Sequence, residues 1–150
     1  MVFWIKEISW KKVVFSSFIF LAISFAIRQI EAILTLNYYK MPEYFGLWSK
    51  NMMPKAGPPP LSFMITSLIF TFATGISLAL IYYYLKDHLP KDEKKRIFYF
   101  ADLMIGTSFV FFTLPTYLLF NIPPGLLASW FISNFIILTT VSWIFVKILK

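Results

Sequence analysis

Four long apolar segments constrain what this chain can fold into more than any other feature. They cover about 13–39, 61–85, 97–120 and 126–146. Each is close to the ~20 residues that an α-helix needs to cross a hydrocarbon layer about 30 Å thick. Water is absent at that depth, so each segment must satisfy its own backbone N–H and C=O groups, which a helix does. The expected fold class is all-α, an integral membrane four-helix bundle with residues 1–150 as a single transmembrane domain. Composition agrees: 59% of residues are hydrophobic and only 14% charged, more apolar surface than a soluble domain of this size could hide.

The connections between the segments set the topology. Lys6, Lys11 and Lys12 precede the first span, Lys86, Lys91, Lys94, Lys95 and Arg96 lie between the second and third, and Lys147 and Lys150 end the chain. In a four-span protein these share one face, against Lys40, Lys50 and Lys55 on the other. The bias predicts both termini in the cytoplasm of a prokaryotic cell. It also explains the net charge of +7 without nucleic acid, because the cations sit where apolar segments meet anionic lipid headgroups. Residues 1–12, MVFWIKEISWKK, read as an interfacial lead-in with Trp4 and Trp10 at headgroup level. The first apolar block is long and ends in NYYK, without the small-residue pattern of signal cleavage.

Local punctuation agrees with these boundaries. Pro58, Pro59 and Pro60 withhold backbone donors just before the second span, where Ser62 is a candidate cap. Pro115 lies deep in the third span and predicts a kink or loosened turn near Phe111. Gly75 and Gly106, with Ser129, Ser133 and Thr140 on the fourth span, offer small surfaces for close helix contact.

Charges inside the spans are costly and mark candidate sites. Arg28 lies about 22 Å along the first span from Val13, in the outer half of the layer, with Glu31 near the outer boundary. Ser17, Ser24, Arg28, Glu31, Thr35 and Tyr38 follow at helical spacings and form one polar stripe. Asn134, Thr113 and Thr66 fall in a similar layer, whereas Asp102 lies low on its helix, toward Arg96 or a headgroup. Three readings of Arg28 and Glu31 stay open: an internal salt bridge completed by Asn134 or a threonine, a pocket for an anionic group, or an intersubunit or snorkelling arrangement. A proton relay lacks a chain of titratable groups. Tyr38, Tyr39, Phe45 and Trp48 at the outer end form either an interfacial anchor or a lid over the Arg28 layer.

Catalytic chemistry has little to work with. The chain has no Cys and a single His, His88, without metal-ligand company. It carries no HExxH, GxSxG or glycine-rich phosphate loop. No metal or cofactor is expected.

The segment Tyr38–Trp48, YYKMPEYFGLW, resembles a feature of the small integral membrane proteins of domain-of-unknown-function family 1761. Tyr39, Pro42, Phe45, Gly46 and Trp48 are the matching positions. The later LPTYLLFNIPPGLLASWFISNFIILTTVSWIFV is similar to that family's final helical hairpin. The resemblance implies a four-helix membrane fold and no particular activity. The expected function is that of a non-enzymatic structural or accessory subunit, in the lipid bilayer with copies of itself or a membrane protein partner. The alternative is a lipid or small-anion binding or transport module with an outer-half pocket around Arg28.

Overall fold

The computed structural model describes residues 8–55 and 58–149. Of the expected interfacial lead-in, Trp4 and Lys6 lie outside this range. The chain is all helical: α1 (Trp10–Leu34), α2 (Leu36–Tyr39), a 3₁₀ turn (Pro42–Leu47), α3 (Leu61–Leu85), α4 (Glu93–Ser108), a π-helical turn (Phe109–Thr113), α5 (Leu114–Leu119) and α6 (Pro124–Ile148). Among the described residues, four helices are long and apolar enough to cross a membrane: α1, α3, the continuous stretch Glu93–Leu119, and α6.

The ends of these helices have identifiable causes. The first span, read from the sequence as reaching Tyr39, breaks at Thr35, whose hydroxyl donates to the Glu31 carbonyl at 2.8 Å. A side chain competing for a backbone acceptor loosens the last turn. At the start of α3 the cap position is Pro60, and Ser62 lies inside the helix, where its carbonyl accepts from Thr66 Oγ1. The third span starts at Glu93 rather than near 97, because Asp92 caps it and accepts from the Lys95 amide at 2.9 Å. Two residues before Pro115 the helix widens into its π turn. Proline has no N–H to offer the Phe111 carbonyl, and its ring crowds that group, so the preceding turn opens.

Around the bundle the order is α3, α1, α6, α4, with α1 packed against both α3 and α6 and α4 against α6. Gly75 lets α1 and α3 approach closely: a Cβ there would lie 3.1 Å from Ser17 Cα. Gly106, expected to serve likewise, faces open space. The small residues of α6 pack inside the monomer, since Ser133 is buried and Ser129 contacts α1.

The apolar core lies toward the end of the bundle where α1 begins and α6 ends. Val13, Tyr82, Phe100, Phe145 and Leu149 are almost fully buried there. At this end α3 and α4 meet through Tyr82 and Phe100, whose rings cross edge to face at 5.2 Å. Lys86 Nζ donates to the Leu149 carbonyl at 3.2 Å, and Lys147 pairs with Glu93. Toward the opposite, loop-bearing end, α3 and α4 are separated by a cleft.

Candidate functional site

Arg28 on α1 and Asn134 on α6 meet in the loop-side half of the bundle. Arg28 Nη2 donates to Asn134 Oδ1 at 2.5 Å, and both residues are partly buried. The polar stripe explains why: Ser17, Ser24, Glu31 and Thr35 are buried, so the whole face turns inward.

Glu31 does not join the pair. Its Oε1 accepts from Ser129 Oγ at 2.8 Å and from Thr35 Oγ1 at 2.9 Å. Among the described residues no ion pair links it to Arg28. Positions i and i+3 are about 60° apart around the helix axis, enough for the two side chains to face different neighbours. Each hydroxyl shares its one proton with a backbone carbonyl, that of Glu31 for Thr35 and that of Leu126 for Ser129, so two divided hydrogen bonds hold the carboxylate, while Arg28 lines the cleft.

That cleft has a volume of about 710 Å³, within the range of roughly 300–1,000 Å³ typical of small-molecule sites. Residues of α1, α3, α4 and α6 line it. Arg28, Asn134, Ser24, Ser67 and Ser108 supply polar groups. Thr71, Thr74 and Thr107 also line it, but their hydroxyls donate to carbonyls of their own helices at 2.8, 2.9 and 2.7 Å. Their donors are already engaged. Ser24 differs: its Oγ is buried without a hydrogen-bond partner among the described residues.

Other residues singled out in the sequence lie elsewhere. Thr113 is buried in the π turn and Thr66 bonds back to its own helix, both outside the cleft lining. Asp102 is exposed, while Arg96 donates to the Pro90 carbonyl at 2.9 Å. Among the described residues no cluster of His, Asp or Glu could hold a metal ion.

The aromatic connection packs onto α6, and its rings are not among the residues that line the cleft. Trp130 Nε1 donates to Tyr39 Oη at 3.0 Å, Tyr39 lies 4.9 Å from Trp48, and Trp48 6.5 Å from Trp130. Phe112 adds an edge at 6.3 Å from Trp130. The Tyr38 hydroxyl occupies the space beside Gly125, and Phe45 is partly buried in the 3₁₀ turn. The residue of this connection that borders the cleft is Pro59. Trp130 is the organising residue that sequence reading missed. Its signal was its place one helical turn from Asn134, at the level expected for interfacial rings.

No family model, curated protein or solved structure matches the chain. Function must be read from the cleft.

Proposed function

We propose that the protein binds an anionic group, a carboxylate or a phosphate, at Arg28 within the intramembrane cleft. The observation that carries this reading is the separation of Arg28 from Glu31, which leaves the guanidinium on the cleft wall with Asn134 as its hydrogen-bond partner among the described residues. A guanidinium has five N–H donors. In a low-dielectric layer, the unused N–H donors of a guanidinium favour an incoming anion. Asn134 holds the guanidinium without neutralising it, which suits a site meant to stay open.

The same reading includes the orientation and the kinship. The lysine and arginine bias supports both termini in the cytoplasm, which puts Arg28 in the outer half of the membrane. Tyr39, Pro42, Phe45, Gly46 and Trp48 support a relation to family 1761. Of the features that motivate the accessory-subunit reading, small size and scarce chemistry stand, while Ser129 and Ser133 of α6 are engaged within the chain.

The test is retention of a co-purifying anion or lipid, read by mass spectrometry of the intact protein under native conditions. Arg28→Gln is expected to empty the site while leaving the helical content unchanged. Equal occupancy in both proteins would remove Arg28 from any binding role.

A further inference from the structure

The cleft is graded along its length. Arg28, Asn134, Ser67 and Ser108 form a polar belt across it, with Met64 and Phe63 of α3, and Pro59 just before it, lining the loop side of that belt. Asn134 contacts Arg28, and Phe131, one turn away on α6, packs against Phe109, which fixes Ser108 near this level. Ser17 and Phe20 face Gly75, so by antiparallel register Arg28 lies opposite the turn of α3 that holds Ser67. Below that belt the lining becomes Phe20, Leu78, Ile81, Met104 and Ile137. The threonines between carry hydroxyls already bonded to their own helices, and so present methyl groups.

α3 and α4 stand apart at Thr71 and Thr107 and come together at Tyr82 and Phe100. From Ser67 to Ile81 the wall rises about 21 Å, more than the roughly 15 Å depth of one hydrocarbon leaflet. The slot is open to one side, since α3 and α4 have no helix between them to close it. A ligand living in the bilayer can enter sideways without passing through water. The unpartnered Ser24 hydroxyl, one turn below Arg28 on the same wall, adds a buried polar atom for a ligand oxygen.

We infer that the cleft seats one single-chain anionic amphiphile taken laterally from the membrane, its head group on Arg28 and Asn134 and its tail running down the slot toward Ile81. This rests on the anion reading above and adds the class of ligand, its direction and its route. The charge of Arg28 selects the head, and the apolar lining from Phe20 to Ile81, ending where Tyr82 meets Phe100, takes one extended chain. A diacyl lipid would have to leave its second chain outside the walls.

Binding to the full chain in phosphatidylcholine nanodiscs tests this, with palmitate, lysophosphatidic acid, diacyl phosphatidic acid, hexadecanol and inorganic phosphate as probes. Palmitate and lysophosphatidic acid are expected to bind, and Arg28→Gln to weaken both about tenfold or more. Leu78→Trp or Thr74→Phe fills the slot below the head group and is expected to shift the preferred fatty acid to a shorter chain. Two variants are used so that one poorly folded protein does not decide the matter. Arg28-dependent binding of inorganic phosphate as tight as that of palmitate would overturn the amphiphile and leave the anion site standing. Diacyl binding that is equally tight and indifferent to both slot variants would overturn the single-chain seat. No Arg28-dependent binding of any probe would overturn both readings.

Discussion

Arg28 Nη2 donates to Asn134 Oδ1 at 2.5 Å, joining side chains 106 positions apart. The partner is neutral, and that neutrality is the basis of the first prediction. Asn134→Asp would put a fixed carboxylate where the ligand's negative charge belongs. Retention of a bound anion is expected to fall about tenfold, roughly 1.4 kcal/mol, with thermal stability preserved. Unchanged retention by native mass spectrometry would mean that the site does not read charge.

Glu31 has a separate, structural task. Its buried carboxylate gathers Thr35 and Ser129, tying the end of α1 to α6. Ser129→Ala is expected to cost about 1 kcal/mol, and Glu31→Ala about 1.5–3 kcal/mol because a charged acceptor is lost. Unfolding titrations in mixed micelles measure both. A Glu31 variant as stable as the parent would show that the network contributes nothing.

Two glycines on membrane helices behave oppositely. A Cβ at Gly75 meets Ser17 and Phe20, whereas one at Gly106 meets nothing within 4 Å. Gly75→Leu is expected to lose about 1–3 kcal/mol by overpacking, and Gly106→Leu to stay within about 0.5 kcal/mol of the parent. The difference between the two is what counts, so equal losses would contradict the observed helix order.

Pro115 holds the π turn open at Phe109–Thr113. Pro115→Ala restores the missing N–H, and the turn is expected to tighten toward regular α-helix. Hydrogen exchange of the amides from 109 to 113 should slow relative to the parent. Faster exchange there would place the cause of the π turn elsewhere.

The absence of cysteine makes orientation straightforward to test. With both termini cytoplasmic, Ser49→Cys should react with a membrane-impermeant thiol reagent on intact cells. Lys94→Cys should react only after permeabilisation. The opposite pattern would invert the topology and put Arg28 in the inner half of the membrane.

The sequence by itself determined four membrane-length helices, because a backbone in hydrocarbon has one local way to satisfy its own polar groups. It also determined that Ser17 to Thr35 form one polar stripe, since helical spacing fixes which side chains share a face, whereas the turning of that face into the bundle is seen only in the structure. The loosened turn before Pro115 was legible for the same local reason. Which neighbour each polar group meets was not. Arg28 and Glu31 share a stripe, yet only the placement of α6 decided that one reaches Asn134 and the other Ser129. Likewise, nothing local in Trp48 said that it would stack beside Tyr39 and Trp130. The cleft itself comes from helix order, with α3 and α4 touching at Tyr82 and Phe100 and standing apart above. Periodicity fixes faces within one helix. The rotation and crossing of helices depend on side-chain packing between segments far apart in the chain, and only the tertiary structure decided those.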